Sequence, residues 1–129
     1  MTTKAMNEYY SQMTKKYLGV EAKFKQRFQL QTLEWTYYGK YSGASRFFMV
    51  FPIEYGVRYL VEIRKDPVVR NTLKKLLSEW EEAVKSNDFQ RFKELLDQIF
   101  KITFENKVQI FREEMQGDVL IRKRVQAKW

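Results

Sequence analysis

The sequence predicts an all-α fold, a basic N-terminal helix-turn-helix arm followed by a small helical bundle, and three observations predict it. Five Gly and two Pro in 129 residues are few punctuating residues for a turn-rich β architecture. Two long stretches, beginning at Asp66 and at Phe89, carry apolar residues at helical spacing. The first 38 residues repeat that spacing on both sides of a glycine.

In the first stretch Met6, Tyr9, Tyr10, Met13 and Tyr17 fall at i, i+3, i+4, i+7 and i+11, one face of a helix that stops near Leu18-Gly19. A second helix is expected from Val20 to Tyr38, with Phe24, Phe28, Gln31 and Trp35 on one line. GKYSGAS at 39–45 reads as a hinge.

Residues 46–65 carry two patterns. With period two, Ile53, Tyr55, Val57, Tyr59, Val61 and Ile63 alternate with Glu54, Gly56, Arg58, Leu60, Glu62 and Arg64, as in a strand. With period 3.6, Pro52 opens a helix, Glu54 sits near its positive end, Arg64-Lys65 sit near its negative end, and Ile53, Val57, Leu60 and Val61 face inward. The helix is preferred because a lone strand has no evident partner in the rest of the chain. A β-hairpin of 47–51 with 57–63 is the alternative.

Asp66-Pro67 is a helix start, a capping carboxylate followed by proline at the first helical position, where its missing N–H costs nothing. The helix runs to about Lys85 with Val69, Leu73, Leu76, Leu77, Trp80 and Val84 on its stripe. Ser86-Asn87-Asp88 is the turn. The next helix is expected from there to about Gln116, with Phe89, Phe92, Leu96, Ile99, Phe100, Phe104, Phe111 and Met115 inward and Gly117 as its stop. The two helices form an αα-hairpin. The tail GDVLIRKRVQAKW is short, basic and mildly amphipathic, with Ile121, Val125 and Trp129 four apart.

Cysteine and histidine are both absent, which removes disulfides, Cys/His zinc sites, thiol nucleophiles and histidine-based acid–base chemistry. Glu79, Glu81, Glu82, Glu113 and Glu114 are not read as acid–base or metal pairs, because adjacent acids on a helix point apart and Lys75 and Lys85 offer ordinary surface pairing. There is no Gly-rich phosphate loop. The sequence therefore predicts no enzyme, no catalytic residue, no cofactor and no metal. The opening MTTKAMNEYY lacks the apolar run of a signal peptide, and no stretch approaches the roughly eighteen apolar residues of a spanning helix.

The formal charge is +8, and its placement is uneven. Residues 1–46 carry eight cations against three acids, residues 47–116 twelve against twelve, and residues 117–129 four against one. Excess confined to the two ends is the pattern of polyanion-binding segments. The domain expectation follows: 1–46 as a basic DNA-wrapping arm and 47–129 as a helical body with a basic tail. The candidate phosphate contacts are Lys4, Lys15, Lys16, Lys23, Lys25, Arg27, Lys40 and Arg46 in the arm and Arg122, Lys123 and Arg124 in the tail. Against each stands the ordinary alternative of a solvated lysine beside a buried aromatic face.

With SQMTKKYLGVEAKFKQRF inside a basic helix-turn-helix arm and a neutral αα-rich body, the chain resembles the major coat proteins of the filamentous lipothrixvirus and rudivirus group of archaeal viruses. The resemblance is architectural and spans arm and body without a diagnostic motif. It implies a structural protein of a virion that packages double-stranded DNA without sequence readout in a helical filament. The implied partners are double-stranded DNA, further copies of the chain or a paralogous coat protein as a heterodimer, and a viral envelope. Two other function classes are carried beside it. One is a small helical nucleic-acid-binding regulator whose helix 20–38 enters a groove. The other is a membrane-surface module that uses Phe47–Phe51 and the basic tail.

Overall fold

The computed structural model describes residues 4–23, 30–37 and 44–125. The order of elements is α1 (Lys4–Leu18), β1 (Gln31–Tyr37), β2 (Ala44–Glu54), β3 (Val57–Ile63), α2 (Pro67–Lys85), α3 (Phe89–Glu105), β4 (Lys107–Gln116) and β5 (Val119–Val125). The strands form one antiparallel sheet in the order β1-β2-β3-β4-β5, so each strand lies beside its neighbour in sequence. The helical hairpin α2–α3 is inserted between β3 and β4, which pair with each other. The fold is mixed α and β, which overturns the all-α expectation.

The helices that cap themselves form where the sequence places them. Gly19 takes a φ of 76° and donates its N–H to the carbonyl of Lys15, ending α1. Asp66 caps α2 by accepting the Val68 N–H at 2.9 Å, and Asp88 caps α3 by accepting that of Arg91 at 3.2 Å. Asn87 sits between them at a φ of 56°. Asp66→Ala should lower stability by about 1 kcal/mol, read as a thermal midpoint about 4 °C lower.

The remaining elements differ from expectation. Of the helix expected over 20–38, residues 31–37 are β1, and 24–29 lie outside the described residues. Residues 46–65 are the β2–β3 hairpin, paired from Phe47↔Ile63 to Glu54↔Val57. The objection to a strand there disappears because β1 and β4 flank the hairpin. The helix expected to reach Gln116 ends at Glu105, where the Asn106 side-chain amide donates to the Ile102 carbonyl at 2.9 Å. Gly117 is not a helix stop but the first of two loop residues between β4 and β5, at a φ of 63°, a position that favours glycine in two-residue hairpins. The basic tail enters the sheet as β5. The arm–body boundary expected at residue 46 falls inside β2.

One large core joins the helices to one face of the sheet. It contains Met6, Tyr10 and Met13 of α1, Leu73 and Trp80 of α2, and Phe92, Leu96, Ile99 and Phe100 of α3. From the sheet it takes Phe47, Met49, Phe51 and Ile53 of β2, Val57, Tyr59, Val61 and Ile63 of β3, and Ile110 of β4. Those strand residues alternate because successive side chains point to opposite faces. Helix α1 is tied down by three aromatic contacts. The buried Tyr10 hydroxyl donates to the Pro52 carbonyl at 2.8 Å, Tyr17 stacks on Phe100 at 5.2 Å, and the Tyr9 hydroxyl donates to the Asp97 carboxylate. Burial, and then the Asp97 carboxylate, push the Tyr9 phenol well above its ordinary range.

Candidate functional site

The face of the sheet turned away from the helices carries the residues with chemistry. Antiparallel partners share a face, and the register places three rows across it. Pro52, Arg58, Glu113 and Arg122 form one row from β2 to β5. Val50, Leu60, Phe111 and Arg124 form the next, and Phe48, Glu62 and Gln109 the third. Phe48, Val50 and Leu60 are buried as a second apolar cluster, with Phe111 packed against it.

Two carboxylates organise this face. Glu113 keeps 1% of its side-chain surface. Its Oε1 accepts from Arg58 Nε at 2.6 Å and Nη2 at 2.5 Å, and its Oε2 accepts from Arg122 Nε at 3.0 Å and Nη2 at 2.7 Å. Glu62 accepts from Arg46 Nε at 2.5 Å and from Gln109 Nε2 at 2.8 Å. The Arg46 guanidinium lies over the rings of Phe48 and Phe111, 5.0 and 5.5 Å from their centroids. Each guanidinium is a planar fork, so a fixed carboxylate sets its orientation as well as its position. Arg46, Arg58 and Arg122 keep 21%, 35% and 24% of their side-chain surface in solvent, so they are held but not sealed in.

Four cations on this face, Arg46, Arg58, Arg122 and Arg124, stand against two acids, Glu62 and Glu113, among the described residues. Arg124 is exposed, as is Lys123 beside it on the other side of β5. Among the described residues neither Lys123 nor Arg124 has an ion pair. Where the tips of the β2–β3 and β4–β5 hairpins meet, the Gly56 carbonyl accepts the Met115 N–H at 2.9 Å. A shallow groove of about 330 Å³ lies there, lined by Gly56, Val57, Arg58, Glu113, Met115 and Leu120.

The structure does not bring all the sequence-predicted cations together. Lys4, Lys15 and Lys16 are exposed on α1, in the helical layer, where Lys15 pairs with Glu21 at 3.2 Å and Lys16 lies over Tyr17. Lys23 is exposed after α1, its backbone N–H held by the Ile53 carbonyl at 2.7 Å. Lys25, Arg27 and Lys40 lie outside the described residues. Arg46, Arg122 and Arg124 share the face of the sheet turned away from the described helices. The sequence reading missed Arg58, Glu62 and Glu113, and it set Glu113 aside as a helix-surface acid. What places them is the two-residue period of a strand, which puts Arg58, Leu60 and Glu62 on one face with Gln109, Phe111 and Glu113.

No family model, no curated protein and no solved structure matches this chain. The site's chemistry therefore stands alone as the guide to function. Two of the function classes lose their structural element. Phe47–Phe51, offered to a membrane surface, is buried in β2. The helix expected to enter a groove is, over 31–37, strand β1. No helix among the described residues is long and apolar enough to cross a membrane, and no cluster of acids there is suited to a metal ion.

Proposed function

We propose that the protein binds double-stranded DNA through its phosphates, without reading sequence, using the face of the sheet turned away from the described helices and strand β5. The observation that carries this reading is the pair of buried carboxylates, Glu62 and Glu113, which orient three arginines on a face that keeps an excess of positive charge. Pre-oriented guanidiniums lose little freedom on meeting an anion. A duplex suits this face better than a single strand. Sheet surfaces that bind single strands offer exposed rings for bases to stack on, and among the side chains described on this face Phe48 is fully buried and Phe111 lies beneath Arg46. Phosphate contact supplies affinity but no sequence information.

Packaging in a filament is not part of this reading. The likeness to the filamentous coat proteins was architectural, and it loses its support with the all-α body. The positive charge that meets phosphate here belongs to the sheet rather than to an N-terminal arm.

Fluorescence anisotropy with two duplexes of unrelated sequence, between about 50 and 200 mM salt, tests the proposal. The expected result is equal affinity for both, with log K falling linearly in log salt. The double variant Lys123→Ala/Arg124→Ala should weaken binding to both duplexes equally and flatten the salt slope by about 2. Absence of binding at the lowest salt, or a preference for one duplex that survives high salt, overturns it.

A further inference from the structure

We infer that the outer edge of β5 is a docking site for an extended acidic peptide, which adds to the sheet as a sixth strand. This goes beyond the reading above, because it uses the backbone of β5 and does not require nucleic acid.

Strand β5 is at the end of the sheet and among the described residues pairs only with β4. Alternate N–H and C=O groups along such an edge turn outward and form a template for another strand. The side chains along the edge select what can pair there. Arg122, Lys123 and Arg124 occupy three successive positions of the seven, and Lys123 and Arg124 lack a carboxylate partner among the described residues.

Two registers of β5 against the β5 of a second copy are disfavoured. Antiparallel self-pairing about Arg122 sets Arg122 against itself, and pairing about Lys123 sets Arg122 against Arg124 and Lys123 against itself. Like charges directly opposite are destabilising. A strand with Asp or Glu at the matching positions reverses the sign of each of these terms. An acidic strand of another molecule meets this requirement, and we take it as the occupant.

The other end of the edge adds an apolar requirement. Val119 and Leu120 are 61% and 49% exposed, and Leu120 lines the groove beside Met115 and Gly56. A peptide paired along β5 would place one bulky apolar side chain at this groove while its carboxylates meet Lys123 and Arg124. The predicted ligand is thus amphipathic along its length, apolar at the hairpin-tip end and acidic at the other.

The probe is a fluorescein-labelled peptide of about eight residues, Leu and Val at one end and Glu at the other, synthesised in both chain directions. Binding by anisotropy and amide hydrogen exchange of Val119–Val125 are read together. One direction of the peptide should bind and slow exchange along β5. Proline at its centre should weaken binding by about tenfold or more, because proline cannot donate to the ladder. The exposed-site variant Lys123→Glu/Arg124→Glu, with its far-ultraviolet dichroism unchanged, should lose a similar factor and should bind the corresponding Lys peptide instead. No binding overturns the proposal. So does binding that proline leaves unaltered, which is unspecific charge attraction, or concentration-dependent pairing of the free protein through β5, which makes a second copy the occupant.

Discussion

Truncating Phe100 to alanine is expected to lower the folding free energy by about 4 kcal/mol, the middle of the range for a buried phenylalanine. The side chain is fully buried on α3 and lies at the junction of three elements. Its ring centroid is 5.2 Å from Tyr17 of α1, 4.7 Å from Phe51 of β2 and 6.2 Å from Phe104 of α3. Filling the cavity would require α1 and the sheet to move together, and Tyr10 pins α1 to the Pro52 carbonyl. Collapse is therefore incomplete and the cavity term remains. Urea unfolding followed by circular dichroism should show a lower midpoint with an unchanged slope. Phe89→Ala, at a position 37% exposed, should cost less than about 1 kcal/mol. Equal effects at the two positions would mean that the α1–α3–sheet junction does not carry the stability assigned to it.

Glu113→Gln is expected to cost about 3 kcal/mol, because it leaves two guanidiniums facing a neutral amide. An amide oxygen can still accept one hydrogen bond, but its NH₂ group is set against another donor. The cost falls at the lower end of the range for broken buried pairs, since Arg58 and Arg122 keep 35% and 24% of their side-chain surface in water. Replacing the triad as a whole separates charge from packing. Glu113→Leu with Arg58→Met and Arg122→Met should be within about 1 kcal/mol of the parent, because no charge is then left unpaired. The same triple variant should bind duplex DNA less well at every salt concentration. If Glu113→Gln unfolds at the parental urea concentration, the carboxylate does not hold the arginines in place.

The errors of the sequence reading have a common physical origin. A spacing of four residues keeps two side chains on one side of a helix and also on one side of a strand. Phe111 and Met115 satisfy both, so β4 could be read as the end of α3. Trp35 and Gln31 did the same for β1. With those strands read as helices, the near-alternation from Val57 to Ile63 has no evident partner, and the helical pattern is preferred there as well. Spacings of three do not separate the cases either: Phe89 with Phe92 lies in α3, but Val108 with Phe111 lies in β4 and Val57 with Leu60 in β3. Gly117-Asp118 between two β-prone runs was the available signal, since a glycine there suits a two-residue hairpin as well as a helix stop. In the site, Arg46, Arg122 and Arg124 were legible as basic residues, but not as neighbours. Glu113 was legible only as an acid.

Helices α1 and α2 and the start of α3 follow from local signals: capping carboxylates at Asp66 and Asp88, a glycine after Leu18 and apolar stripes with spacings of three and four. Each of these acts within a few residues, so the amino-acid order suffices to specify it. The sheet, its register and the arginine–glutamate face were decided by the folded chain, which pairs Arg58 with Glu113 across 55 positions and Arg46 with Glu62 across 16. Strand pairing and buried ion pairs draw their free energy from partners distant in sequence, and only the tertiary structure brings those partners together.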